Sequence, residues 1–227
     1  MNSDRSVVAV ILLAGLGSRL RRPKPKPLTE LSNGESILER QVRILSAFGL
    51  PIVGVVGFKK DLIMEAVPDI LFAYNPDYDA TNTSKSLLCA VRNINHKDIL
   101  WINGDVVYDE EIIQRVLEQK QSTVVVNNAS VAEEEIKYTL REGCIDELSK
   151  QVENGLGEAL GINLVKKDQV PLFCEHLVKV GDQDYFEKAM ENMISEDGAE
   201  FYPLDVSDLK CIEVDFQDDL NKARELF

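Results

Sequence analysis

The sequence predicts an α/β protein built on a mixed, mostly parallel sheet with helices on both faces and a small hairpin and helical insertion. Two observations carry this. Short apolar runs alternate with amphipathic segments from Val7 to Asn127, the rhythm of strand, helix, parallel strand. After Asn128 the rhythm gives way to paired short segments separated by a turn signal. The 227 residues, 44% apolar and 28% charged, have the composition of an ordinary globular protein with one substantial core. One domain is expected over 1–227.

In chain order, Val7–Leu13 reads as a buried strand leading into a loop of glycines, prolines and cations. Ser36–Phe48 reads as a helix opened by a capping box, Ser36 with Glu39 three residues on. Ile52–Gly57, Ile70–Tyr74, Ile99–Asn103 and Ser122–Asn127 read as strands, with helices at Lys60–Val67, Ser84–Ile94 and Asp109–Glu118 between them. Lys137–Arg141 and Cys144–Ser149 flank Glu142-Gly143 and read as a hairpin, followed by a buried strand at Ala159–Val165. Pro171 stands where a first helical residue would, Asp184–Ile194 has helical spacing, and the chain closes with a strand at Cys211–Val214 and a helix from Asp218.

Charge and cysteine usage exclude several classes. A formal net charge of −14 argues against general affinity for nucleic acid or anionic membrane, which needs clustered Lys and Arg. The apolar run Val7–Ala14 is far short of the roughly 20 residues of a membrane span and lacks a signal cleavage region, so a cytoplasmic location is expected. Cys89, Cys144, Cys174 and Cys211 are scattered with no CxxC pair, so buried reduced thiols are expected and no zinc site. The sequence carries no signal for oligomeric state.

Against that acidic background, the loop after the first strand concentrates Arg19, Arg21, Arg22, Lys24 and Lys26 before any acid appears. Ligands of open parallel sheets bind outside the carboxyl ends of the strands, where this loop lies. Gly15 and Gly17 allow a tight turn that presents N–H groups to phosphate, and the cations supply countercharge. A dinucleotide fingerprint fails because Leu20 stands at the third glycine position, and no P-loop string occurs. Taken alone, the glycines make a turn and the cations a solvated rim.

"LLAGLGSRL…PKPLTEL" resembles the signature of nucleotidyltransferases that join a nucleoside triphosphate to a phosphorylated sugar or alcohol. Gly15, Gly17, Ser18, Arg19, Pro25, Lys26 and Leu28 match it, while Leu13 departs from the usual alanine. The resemblance implies a Rossmann-like nucleotidyltransferase fold with a nucleotide-binding part over about 1–128, an acceptor-binding part over about 129–210, and a return to the core over 211–227. It implies that Leu13, Ala14, Gly15, Gly17 and Ser18 wrap the triphosphate, with Gly104 and its strand end beside them, and that Arg19 meets the β/γ end and Lys26 the α-phosphate as the catalytic pair. Asp105, directly after a strand, and Asp215, at the end of the last strand, read singly as a turn residue and a cap. Together they resemble the two Mg2+ ligands of the family, with Glu213, Asp219, Leu220 and Ala223 at the matching spacing.

The middle of the chain narrows the resemblance to small CTP-dependent enzymes, the phosphocholine and aminoethylphosphonate cytidylyltransferases. Asn82, Ser86, Leu87 and Ala90 are similar to their cytosine-side segment, although Asn82 is also a plausible helix cap. Glu158 and Gly161 resemble a second stretch, and Tyr185, Phe186 and Glu187 fall where acceptor-binding aromatic and acidic residues occur. Lys137 and Lys150 are weaker candidates for the acceptor phosphate, since hairpin lysines are commonly just exposed. The expected partners are CTP and a small phosphorylated or phosphonate acceptor, phosphocholine first and aminoethylphosphonate second. A sugar 1-phosphate enzyme is the alternative within the superfamily, and a nucleotide-binding regulatory domain without turnover the alternative outside it.

Overall fold

Alternate residues of Val7–Leu13 (β1) face opposite sides of a sheet, and both sides are apolar: Ala9, Ile11 and Leu13 join one core cluster and Val10 the other. That two-sided burial requires helices on each face. The computed structural model, which describes residues 7–17, 24–129 and 135–227, supplies them. One face is covered from α1 (Ile37–Ala47), α2 (Lys60–Ala66) and α4 (Glu110–Leu117) through Leu38, Ile44, Leu45, Ile63, Ile112, Ile113 and Val116. The other is covered from α3 (Thr83–Val91), α5 (Val170–Lys179) and α6 (Phe186–Asp197) through Leu87, Val91, Phe173, Leu177, Met190 and Met193.

The remaining strands are β2 (Ile52–Val56), β3 (Leu71–Tyr74), β4 (Asp98–Asn103), β5 (Val106–Tyr108), β6 (Thr123–Asn127), β7 (Lys137–Arg141), β8 (Cys144–Ser149), β9 (Gly157–Val165), β10 (Tyr202–Asp205) and β11 (Cys211–Glu213), and the chain closes with α7 (Gln217–Leu226). The main sheet runs β10-β6-β9-β4-β1-β2-β3. β1 pairs in parallel with β2 and β4, β2 with β3 and β10 with β6, while β9 runs antiparallel to β4 and β6. β7 and β8 extend from β9 as the expected hairpin, with Glu142 and Gly143 both at positive φ in the two-residue turn.

The capping box is formed: Glu39 N–H donates to Ser36 Oγ at 3.2 Å, and Ser36 N–H to Glu39 Oε2 at 2.8 Å. Three details differ from the sequence reading. β11 does not enter the main sheet; it pairs antiparallel with β5, a three-residue strand too short to carry a pattern. β10 contains Pro203, which demotes a strand in sequence, and it lies on the sheet edge, where a missing N–H is tolerated. Pro171 is the second helical residue of α5, after Val170. The four thiols are free but only partly buried, with Cys89, Cys174 and Cys211 at the margins of core clusters. No helix among the described residues is long and apolar enough to cross a membrane.

Candidate active site

A cavity of about 600 Å3 opens at the carboxyl ends of β1 and β4, and its wall includes Leu13, Ala14, Gly15, Gly17, Lys26, Asn82, Ser86, Gly104, Asp105, Lys150, Tyr185, Glu187 and Asp215. Of the residues singled out from sequence, Lys137 and Glu158 are not on the wall. They face each other across β7 and β9, and with Ala159 and Gly161 turned to the cavity, strand alternation sends Glu158 to the other side. Ser18 and Arg19, with Arg21 and Arg22, lie outside the described residues.

Two glycines allow strand ends and loop to meet closely. Gly17 has φ +59°, and a Cβ there would stand 3.0 Å from Lys26 Cβ. A Cβ on Gly104 would lie 2.5 Å from the carbonyl oxygen of Leu12, to which Gly104 N–H donates at 3.0 Å. Lys26 opens a single 3-10 turn between Pro25 and Thr29, closed by Thr29 N–H to the Lys26 carbonyl at 3.0 Å. Only 9% of Lys26 is exposed. Its ammonium bridges Asp105, at 2.6 Å, and Asp215.

The β5–β11 pairing brings these acids together. Glu213 lies opposite Val106, and Val214 N–H donates to the Asp105 carbonyl at 3.0 Å, so the end of the last strand is clamped onto the turn after β4. Glu213 and Asp215, two residues apart on one face, then meet Asp105, with carboxylate oxygens of all three within 4.8 Å of one another. Asp219, in the first turn of α7, accepts Phe216 N–H at 2.8 Å and Asp215 N–H at 3.2 Å, fixing the backbone that carries Asp215. Behind the cluster, buried Gln41 donates to the carbonyls of Asn103 at 3.0 Å and Val106 at 2.8 Å, so α1 braces the Gly104-Asp105 turn. Gln41 has no sequence signal; Glu213 has one, the acid two residues before Asp215.

The acids and the ammonium shift one another. Burial pulls the Lys26 ammonium down, but the charges and hydrogen bonds of Asp105 and Asp215 outweigh it and the net shift is upward. Glu213 is held well above the usual carboxylate range, first by the charge of Asp105, then by burial and by Asp215 and Glu135. Asp105 Oδ1 is buried without a hydrogen-bond partner among the described residues.

On the side of the cavity formed by α3, buried Asn75 donates to Thr81 Oγ1 and Ser86 Oγ, both at 3.0 Å, holding the loop after β3 against the helix. Asn82 caps α3 by accepting Thr83 N–H at 2.8 Å and also donates to the Gln183 carbonyl at 3.2 Å. Ser84 Oγ donates to the Asp184 carbonyl at 2.6 Å, and Phe186 N–H to Thr83 Oγ1 at 3.2 Å. The start of α3 is thus laced to the start of α6, which carries Tyr185 and Glu187 into the wall.

Tyr185 is exposed, with the Lys150 ammonium 5.6 Å from its ring centroid. Phe186 instead packs edge-on to Trp101 at 5.5 Å, and Phe201 is fully buried. Burial pushes the Glu187 carboxyl up to about 7, with its own backbone N–H and Lys150 opposing and Glu191 adding to the shift. Glu135 is raised by burial and by the charges of Glu158 and Asp215, with Lys150 again opposing.

Residues 9–168 match the MobA-like NTP transferase domain family. The chain is 27% identical over 96% of its length to CMP-5'-(3-aminopropyl)phosphonate synthase of Streptomyces rubellomurinus, of which it spans 38%. It is 31% identical over 54% of its length to CTP:phosphoglutamine cytidylyltransferase of Campylobacter jejuni, of which it spans 53%. Its fold matches the CTP:phosphocholine cytidylyltransferase of Streptococcus pneumoniae with a TM-score of 0.80, 19% identity and 96% and 98% of the two chains covered. The inositol-1-phosphate CTP transferase of T. maritima matches equally, with a TM-score of 0.80, 16% identity and 96% and 93% covered.

Proposed function

The chain belongs to the MobA-like NTP transferase domain family, and from that premise we propose that it transfers a cytidylyl group from CTP to a small phosphorylated alcohol or phosphonate. An ionised acceptor oxygen attacks the α-phosphorus in line, the new P–O bond forms as the α–β bridging bond breaks, and pyrophosphate leaves. The attacking oxygen is already deprotonated, so no general base is needed. Positioning and charge stabilisation supply the rate.

The observation that carries this reading is the buried Lys26 ammonium gathered with Asp105 and Asp215 on the cavity wall, beside the Gly15–Gly17 loop. Lys26 is the group for the α-phosphate, and Arg19 for the departing pyrophosphate. Asp105 and Asp215, with Glu213, suit Mg2+: three carboxylates converge, one oxygen of Asp105 has no partner among the described residues, and a protein ammonium is already drawn among them. When bound, Mg2+ would neutralise phosphate charge. Asn82 and Ser86 line the same cavity and are the groups assigned to the base, and Lys150, Tyr185 and Glu187, also on its wall, those assigned to the acceptor's far end.

Phosphocholine, first in the sequence reading, and aminoalkylphosphonates, named in the Streptomyces relative, are the acceptors to test. Pyrophosphate release in Mg2+ with each NTP and each acceptor is the experiment. Release with CTP and a small phosphate or phosphonate is expected. Preference for glucose 1-phosphate would move the chain to the sugar nucleotide branch, and nucleotide binding without release would leave a regulatory domain.

A further inference from the structure

One wall group keeps an oxygen that no other described residue engages. Glu187 is only 7% exposed, yet its Oε2 has no hydrogen-bond partner among the described residues, although a buried carboxylate ordinarily keeps its place by being paired. It lines the cavity together with Glu135, Lys150 and Tyr185. Among the described residues Lys150 is the cation that acts electrostatically on both carboxylates, so Glu135 and Glu187 share one ammonium. The other nearby acid, Glu191, is engaged elsewhere: it accepts Leu148 N–H at 3.2 Å and pairs with Lys188 at 3.5 Å.

The aromatic side of the niche is equally informative. A quaternary ammonium has no N–H to donate and is held by several open ring faces. Here the Tyr185 face carries Lys150, and Phe186 is spent on Trp101. Tyr78 stands off at the β2 end of the cavity, packed near Gly57 and Phe58, and Phe216 adjoins Asp215 at the Lys26 end. Among the described residues no cage of open rings surrounds Glu187. What the niche offers is an acceptor of hydrogen bonds left without a partner among the described residues, and two acids beside one ammonium.

We propose that this niche is a primary-ammonium subsite, in which Glu187 accepts an N–H of the acceptor's amine and distinguishes aminoalkyl phosphates and phosphonates from their trimethylammonium counterparts. The inference rests on the proposed transferase reading and narrows its acceptor to zwitterions, phosph(on)ate at one end and amine at the other. Lys150 then serves as a spacer charge in the niche rather than a ligand of the acceptor phosphate.

The test uses the intact protein and two acceptor series, phosphoethanolamine with its N-methylated forms up to phosphocholine, and 2-aminoethylphosphonate with its trimethylated form, with ethyl phosphate as the amine-free control. Turnover is followed by pyrophosphate release from CTP, and acceptor binding separately by calorimetry. A preference of at least tenfold for the primary amine over the trimethylated form is expected in whichever series is accepted. Glu187→Gln should shift the ratio between the amine and ethyl phosphate at least tenfold, while Lys150→Met should tighten the amine. Equal or undetectable binding of the amines, or a ratio unmoved by Glu187→Gln, overturns the subsite, as does Lys150→Met weakening every acceptor alike. Amine binding without pyrophosphate release overturns the transferase reading instead and leaves the subsite standing.

Discussion

The two ends of the cavity differ in how they treat charge. At the Lys26 end, three carboxylates meet an ammonium that is buried among them, and the cluster is braced by Gln41, Asp219 and the Val214–Asp105 backbone bond. At the Glu187 end, a buried carboxylate has an oxygen with no hydrogen-bond partner among the described residues, on a helix start laced to α3. At the first end a protein cation already stands among the acids and must yield to a metal, and Asp105 Oδ1 lacks a partner among the described residues; at the second no ammonium of the described residues is hydrogen-bonded to Glu187 Oε2. Internal pairing stabilises the fold and blunts binding, whereas an unpaired buried group costs stability and sharpens recognition.

The largest expected break is at the Lys26 end. Asp105→Asn and Asp215→Asn should each lower kcat by about 10²–10³-fold while leaving circular dichroism unchanged, because the bracing runs through backbone groups that both variants keep. Turnover near wild type at limiting Mg2+ would mean other carboxylates hold the cation. Lys26→Ala should lower kcat by about 10² with less change in KM, since its contact strengthens as charge develops at the α-phosphate. The same variant should bind Mn2+ more tightly without nucleotide, as read by electron paramagnetic resonance, because the ammonium no longer competes for Asp105 and Asp215.

Smaller effects sharpen the contrast. The folded carboxyl of Glu187 is raised from 4.5 to about 7, so its contribution to stability is full below pH 4.5 and lost as pH rises through about 7. Glu187→Gln should therefore match wild type in urea unfolding at acid pH and exceed it above neutrality, by on the order of 3 kcal/mol at most. A constant difference across pH would show that Glu187 is paired after all. Glu213→Gln removes a carboxylate raised by its acidic neighbours and should lift Tm in chelating buffer by about 2–4 °C. That gain should shrink when Mg2+ is added.

Much of the fold is legible because burial on both faces leaves a periodic trace. β1, the capped helix α1 and the β7–β8 turn fall where the pattern and Ser36-x-x-Glu39 or Glu142-Gly143 place them. β5 and β10 leave none, one being three residues long and the other holding an edge proline. In the site, Asp105 and Asp215 are legible as motif residues after strands, and Lys26 as the lysine of the motif in the loop after β1. Gln41 and Asn75 are not, since a buried amide that braces a loop looks in sequence like any other polar residue of a helix or strand end.

What the sequence determined by itself is the layered α/β order and which groups can bear phosphate and cation chemistry, because periodicity and side-chain type are local properties. What only the tertiary structure decided is which charges meet. Asp105 and Asp215 are 110 residues apart and converge through a three-residue ribbon. Lys137 and Glu158 oppose each other off the wall. Lys150 covers the Tyr185 ring, and Glu187 keeps an oxygen unpaired among the described residues. Coulomb energy and desolvation depend on distance and burial rather than order along the chain, so the balance of charge in the cavity exists only once the strands are paired.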